Sequence, residues 1–324
     1  MAIRSFLVAV AAAAASVATA GSVPESELPV FFFHGVTGNA TNGRNIKANL
    51  TAEGRVFVGL TYCENECSVQ SVTAQIPMAI EQIRSIVKND SRFDNGYHFV
   101  GHSQGGGIAR AALARESGWH ANGMFYGPQA EDVVPLYIMV NVLGPQLLAT
   151  DIFDFSKYTA ADWRGKFQHD MAQLDANQTL QAKYSLMNMN REPADNYFIA
   201  NNKYLPYLNN LNHCNDDDFQ CRFNKIRRKT NLCHSLLQRY TPVDSIDEIE
   251  TKFEEFTVMD MEDTVEYKND TYGLRTLDER GDLHRTVVAN VSHNCWIVDG
   301  VRLDANVECI WEPLWDKYIY PALQ

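Results

Sequence analysis

Positive charge is scarce in this chain of 324 residues: 28 Lys and Arg stand against 40 Asp and Glu, for a formal net charge of −12. The one basic run, Arg222 to Lys229, is local. A nucleic-acid partner, which needs a basic face or stripe, is disfavoured. Long apolar runs are lacking as well. No stretch after the N-terminus reaches the ~20 apolar residues that a membrane-crossing helix needs, so no span is expected. No H-E-x-x-H, paired C-x-x-C, Walker loop or dinucleotide glycine pattern occurs, and neither a metal nor a nucleotide cofactor is expected. Asp216-Asp217-Asp218 lacks the spacing and closing carboxylate of a calcium loop and reads as a solvated turn. Internal repeats are absent too.

What is present begins with a secretory signal. Arg4 supplies the positive start, Phe6 to Val17 a short apolar run, and Ala18-Thr19-Ala20 a small-residue cleavage site. The mature chain is expected to start near Gly21. Asn39, Asn49, Asn89, Asn177, Asn269 and Asn290 each open an N-x-S/T sequon, and together with a signal peptide they argue for a glycoprotein. Seven cysteines fit an oxidising compartment. Cys63 with Cys67, Cys214 with Cys221, and Cys295 with Cys309 are plausible local pairs, leaving Cys233 over.

The remaining 21–324 carries apolar and charged fractions of an ordinary globular protein, 45% and 21% over the whole chain. Pro29-Val30-Phe31-Phe32-Phe33 reads as a buried parallel strand, running into His34-Gly35-Val36-Thr37-Gly38. Arg55 to Leu60 reads as a second strand. Val69, Val72, Ile76, Ile80, Ile83 and Val87 recur at helical spacing, with Pro77 among them. Asn122 to Tyr126 reads as a further strand. Such alternation implies a parallel sheet with helices on both faces. From about residue 144 to 240 the chain turns rich in Asn, Asp, Tyr, Leu and Met, with short helical patterns and no clear strand; it reads as a helical cap inserted over the sheet edge. Strand character returns at Arg285 to Val291, and a helix near Cys309 to Tyr320 closes the chain.

The chemistry concentrates in Gly101-His102-Ser103-Gln104-Gly105, a G-x-S-x-G nucleophile elbow. Tyr97 to Val100 leads in as a strand and Gly106 to Ala114 leads out as a helix, the context that the motif requires. Gly105-Gly106-Gly107 continues the elbow and is no phosphate cradle. A serine hydroxyl needs a base, and the base an acid to orient it. With a strand-borne elbow, the chain order is Ser, then Asp or Glu, then His. His293 stands after the last expected strand. His284 stands before that strand, and His213 and His234 lie in or beside the cap. Asp244 and Asp263 both precede His293 and both stay open as the acid. The oxyanion needs two backbone N–H groups. Gln104, after the serine, offers one, and Val36, in the loop after the first strand, the other.

These residues resemble the palmitoyl-protein thioesterases, lysosomal α/β-hydrolases, from about Pro29 to Trp315. Ser103-Gln104-Gly105-Gly106 with Arg110-Ala111, Asp270-Thr271-Tyr272-Gly273-Leu274-Arg275-Thr276-Leu277, Val291-Ser292-His293 and Cys309-Ile310-Trp311-Glu312-Pro313-Leu314-Trp315 carry the resemblance. It implies an α/β-hydrolase fold, with a mostly parallel central sheet, helices on both faces and an inserted cap. It also implies a Ser103–His293–Asp244 triad, because Val243-Asp244-Ser245-Ile246 matches the family's acid stretch and Asp263 falls too close to the Asp270 segment. The expected substrates are S-acylated proteins or peptides and fatty acyl-CoA, and the expected location is lysosomal or secreted. The chain departs from the family in three places. Leu236 to Val243 is less apolar, the linker after it is shorter, and Asn190-Arg191-Glu192-Pro193 stands for an aromatic-His-Asp-Pro tract. A lipase- or cutinase-like carboxylester hydrolase and a non-catalytic binding protein on the same fold are the alternatives.

Overall fold

The computed structural model describes residues 24, 27–115, 121–126, 166–190, 194–211, 230–233, 239–240, 258–259, 261–281, 283–285, 288, 291, 293–300 and 308–324. The signal segment, Arg222 to Lys229, Cys214, Cys221, His213, His234, Asp244 and Asn290 lie outside the described residues.

Among the described residues, six parallel strands form the central sheet: β1 (Val30–Phe33), β2 (Phe57–Gly59), β3 (Tyr97–His102), β4 (Ala121–Tyr126), β5 (Thr230–Cys233) and β8 (Leu283–Arg285), in the order β2-β1-β3-β4-β5-β8. Between β5 and β8 in sequence, β6 (Arg239–Tyr240) and β7 (Val258–Met259) pair antiparallel as a separate ribbon. Because successive side chains on a strand point to opposite faces, the aromatic run of β1 serves two cores. Phe31 and Phe33 pack with Val72, Ile76 and Ile80 of α2 (Val72–Asn89) and Ile108 of α3 (Gln104–Arg115). Val30 and Phe32 pack with Ile46 and Leu50 of α1 (Arg44–Ala52) and with Trp311, Trp315 and Ile319 near the C-terminus. A strand covered on both sides has no polar face, which is why all four residues of β1 are apolar and fully buried.

Helix α2 carries the expected repeat from Val72 on and keeps Pro77 within it, while Val69, the first residue of that repeat, lies in the turn Asn65–Val69. Its first N–H groups have no helical acceptor. Asn188, fully buried, supplies one from outside: its Oδ1 accepts from Val72 N at 2.9 Å and from Ser71 Oγ at 2.6 Å. Asn188 belongs to a set of short helices between β4 and β5, namely Lys166–Asp175, Gln178–Lys183, Ser185–Met189, Asp195–Asn201 and Leu205–Leu208. Buried amides tie these together. Asn190 Nδ2 donates to Asp175 Oδ2 at 2.8 Å, and Asn202 Oδ1 accepts from Tyr204 N and Leu205 N. That wiring explains a segment rich in Asn without being disordered, since a buried polar group is stable only when partnered.

Several expected boundaries shift. Strands β5 and β6 fall inside the stretch 144–240, where no clear strand is expected. Polar residues in Thr230-Asn231-Leu232-Cys233 hid β5; its position next to β4 makes it a strand. A strand runs over Leu283–Arg285, with His284 within it; of the expected strand Arg285 to Val291, residues 286, 287, 289 and 290 lie outside the described residues. Leu283, His284 and Arg285 pair with Thr230, Asn231 and Leu232 of β5. The expected terminal helix is a single turn at Trp311–Leu314, a wider turn through Ile319 and a tight one to Leu323. Cys63–Cys67 and Cys295–Cys309 are disulfides as expected.

Candidate active site

Strand β3 delivers Ser103 to a sharp corner. Its φ is +56°, a left-handed value that costs a non-glycine residue energy. Of residues 101–110, Ser103 alone is partly exposed; the others are buried. The glycines around it are demanded by close approach. A Cβ on Gly101 would lie 2.6 Å from Gly106 Cα, and one on Gly105 would run into the Phe33 carbonyl oxygen and lie 2.6 Å from that of His34. The elbow is thus pressed directly onto the end of β1. Ser103 O accepts from Gly106 N at 3.0 Å. Gln104 opens α3, so its N–H lies in the first turn, where the helix offers no acceptor and the dipole is positive.

The loop after β1 faces this corner. A Cβ placed on Gly35 would sit 3.0 Å from Ser103 Cβ. Gly38 N donates to Gly35 O at 3.0 Å, closing a turn with Val36 and Thr37 at its centre. Val36 is buried, and no carbonyl or side chain among the described residues accepts from its N–H. The buried His34 imidazole approaches Gly35 O with Nδ1 (2.9 Å) and Tyr62 O with Nε2 (2.7 Å), and stacks on the Tyr62 ring at 4.7 Å. Burial pushes the Tyr62 phenol far up, so it stays neutral.

His293 heads the turn His293–Trp296, after β8 as the chain order requires. That turn is fastened by the Cys295–Cys309 disulfide and by Asn45 Nδ2 donating to Ile297 O at 3.3 Å. Cys295 and Trp296 share one core with Phe32 and with Val100, three residues before Ser103. Of the two candidate acids, Asp263 lies exposed in the turn Met261–Asp263 and pairs with Lys268 Nζ at 3.2 Å.

Sequence reasoning missed the polar wiring behind the loop and the elbow. Ser68 Oγ accepts from Thr37 N at 2.6 Å, and Ser68 O accepts from Gln104 Nε2 at 2.9 Å and from Gln75 Nε2 at 2.9 Å. The Cys63 and Cys67 pair, recognised as a closed turn, was the available signal for this node. Arg110, named from sequence only as part of the family resemblance, is buried on α3. Its Nη1 donates to Asn209 Oδ1 at 2.8 Å, and its guanidinium stacks 4.0 Å from the Tyr272 ring. Burial pushes the Tyr272 phenol up to about 12, with Arg110 opposing and Glu266 adding to the rise.

A parallel sheet of this order, with helices on both faces and a left-handed serine between β3 and α3, defines an α/β-hydrolase. The chain belongs to the palmitoyl protein thioesterase family, whose model matches residues 29–293. Family and fold are those of a hydrolase. No curated protein matches the chain in sequence. Among solved structures, NosK from Streptomyces actuosus is similar at 10% identity and a TM-score of 0.36, covering 83% of this chain and 90% of its own. Carboxylesterases of the thaumarchaeon Nitrososphaera gargenis are similar at 12% identity and a TM-score of 0.32, covering 82% of each chain. An extracellular α/β-hydrolase from a Paenibacillus species is similar at 14% identity and a TM-score of 0.26; the likeness covers 32% of this chain and spans 42% of that one. At TM-scores this low, none of the three bears on substrate or mechanism.

Proposed function

We propose that this protein hydrolyses long-chain fatty acyl thioesters, on S-acylated proteins or peptides or on acyl-CoA, through an acyl-serine intermediate. The observation that carries the reading is the seating of Gly35 against Ser103, which sets the Val36 loop beside the nucleophile as an oxyanion hole requires. In this reading His293 takes the proton from Ser103 Oγ as the oxygen attacks the thioester carbonyl. The carbonyl oxygen becomes an oxyanion held by the N–H groups of Val36 and Gln104. Collapse of the tetrahedral intermediate expels the thiolate, which receives its proton from His293. Water, deprotonated by the same imidazole, then releases the fatty acid and restores Ser103. Asp244 orients His293; the exposed ion pair of Asp263 with Lys268 supports that choice by giving Asp263 a surface role.

The helical insertion before Thr230 acts as the cap, with its apolar side chains bordering the acyl chain. The Asn190 to Pro193 departure from the family falls in this cap, so chain-length preference is expected to differ from that of relatives carrying the aromatic tract. Two disulfides support passage through the secretory pathway, to the lysosome or outside the cell. Among the described residues no helix is long and apolar enough to cross a membrane.

The test compares kcat/KM on matched palmitoyl thioester and palmitoyl oxyester substrates, with fluorophosphonate labelling of Ser103 alongside. A clear thioester preference with labelling is expected. Equal or better turnover of the oxyester points to the carboxylester hydrolase, and a wild-type protein that takes up no probe points to a binding protein.

A further inference from the structure

We propose that Ser68 is a positioning residue for the oxyanion hole, holding the loop that bears Val36 and the helix end that bears Gln104 in one frame. The inference rests on the serine-hydrolase reading above.

Ser68 is fully buried in the turn Asn65–Val69, directly after the Cys63–Cys67 disulfide. It uses both of its oxygens. The hydroxyl accepts from Thr37 N at 2.6 Å and donates to Asn65 O at 2.5 Å. The carbonyl accepts from Gln104 Nε2 and Gln75 Nε2, each at 2.9 Å, and Gln75 Oε1 accepts from Gln104 Nε2 at 3.1 Å. One residue therefore grips both donors' surroundings, neither of which it touches at the reacting end.

The loop needs such a grip. Thr37 has φ +55° and occupies the third position of the Gly35–Gly38 turn. A left-handed residue there is the mark of a type II turn, a position favouring glycine or asparagine and penalising a β-branched side chain. The Thr37 N–H belongs to the central peptide of that turn. Without the Ser68 hydroxyl this N–H loses its acceptor. Turning the central peptide over then relieves both the unmet donor and the left-handed φ; it rotates the Val36 carbonyl and loosens the turn that holds the Val36 N–H beside Ser103. Ser68 also accepts a longer bond from Ser185 Oγ, at 3.4 Å, on an insertion helix. A purely structural role for Ser68 would run through that helix and show as lost stability.

The test measures kcat, KM and thermal unfolding for Ser68→Ala, Ser68→Thr, and Ser68→Ala combined with Thr37→Gly. Misplaced oxyanion donors are expected to lower kcat roughly 10- to 100-fold in Ser68→Ala, with KM within about 2-fold of wild type. Ser68→Thr keeps the hydroxyl and recovers most of the rate. So does the added glycine, which holds a left-handed φ at no cost. A merely structural serine predicts neither the kcat-only effect nor rescue by Thr37→Gly. If Ser68→Ala does not fold, Gln75→Leu, which removes the second tie to Gln104, must lower kcat at unchanged KM. A folded Ser68→Ala within about 3-fold of the wild-type kcat, far short of what misplacement costs, overturns the role, as does a loss that Thr37→Gly leaves in place. A wild-type protein unlabelled by fluorophosphonate sinks the hydrolase reading and this inference together; a labelled wild type with an unaffected Ser68→Ala sinks the positioning role alone.

Discussion

The α-carbon of Gly35 faces the nucleophile so closely that a methyl group on it would lie 3.0 Å from Ser103 Cβ and 3.3 Å from the backbone oxygen of His102. Neither neighbour yields easily, because one is the elbow itself and the other is main chain in β3. Gly35→Ala is expected to push the Val36 loop outward and to cost roughly 100-fold in kcat/KM through misplaced oxyanion donors. Its stability cost is the overpacking of one methyl, about 1–3 kcal/mol. Steady-state kinetics on a palmitoyl thioester, read beside a thermal melt, check both. Activity near wild type would place the oxyanion hole elsewhere.

The elbow stores strain that stability measurements can reveal. Ser103 sits at φ +56°, where an L-residue with a Cβ is penalised and glycine is not. Ser103→Gly and Ser103→Ala should both abolish turnover and fluorophosphonate labelling. They should differ in stability: the glycine variant is expected to exceed the alanine variant by about 1 kcal/mol in denaturant unfolding, because only it relieves the left-handed penalty. Equal stability of the two variants would mean that the corner is unstrained.

The two candidate acids can be separated side by side. Asp263 is exposed and pairs with Lys268 at the end of the following helix Val265–Lys268, and exposed pairs contribute little. Asp263→Asn should therefore keep kcat within about 2-fold of wild type, as a surface change outside the machinery does. Asp244→Asn should lose roughly 10⁴-fold in kcat, the scale seen when a triad imidazole loses its orienting carboxylate. Loss confined to the Asp263 variant would reverse the assignment.

What the sequence made legible follows from how local each signal is. The elbow is written in five consecutive residues and β1 in the apolar run Pro29 to Phe33, so both are found, with β1 starting one residue later at Val30. The α2 repeat was visible because one of its faces packs on the sheet. Strand β5 was not visible: its sequence is half polar, and pairing with β4 and β8 is what makes it a strand. The site's second layer was hidden for a similar reason. Ser68 meets Thr37 and Gln104 across 31 and 36 residues of chain, and no spacing rule links such positions. The Asp270 to Leu277 segment was read as a family mark, and the structure gives it a physical job. Tyr272 lies beneath the Arg110 guanidinium of the nucleophile helix, Leu274 and Leu277 enter the core, and Gly273 takes φ +89° to start the helix Leu274–Glu279.

That same segment makes a pH-dependent prediction. Asp270 has φ +49°, and its carboxylate accepts from Thr276 N at 3.0 Å and from Thr276 Oγ at 2.5 Å. Partial burial acts to raise its pKa, but the Thr276 bonds, together with a backbone bond from Arg275 and the Arg275 charge, outweigh it and hold the carboxyl below its usual value. A folded-state value below the unfolded one contributes stability that is present above the unfolded value, about 3.9, and is lost as pH falls through the folded value. Asp270→Asn is a clean probe, because asparagine tolerates the left-handed backbone while removing the charge. The wild type should be the more stable of the two at pH 7, and the gap should hold down to about pH 4 and narrow below it. Urea unfolding of both proteins from pH 7 to pH 3 measures this directly. A gap that stays constant across the range would mean that Thr276 and Arg275 together favour the charged and neutral carboxyl equally.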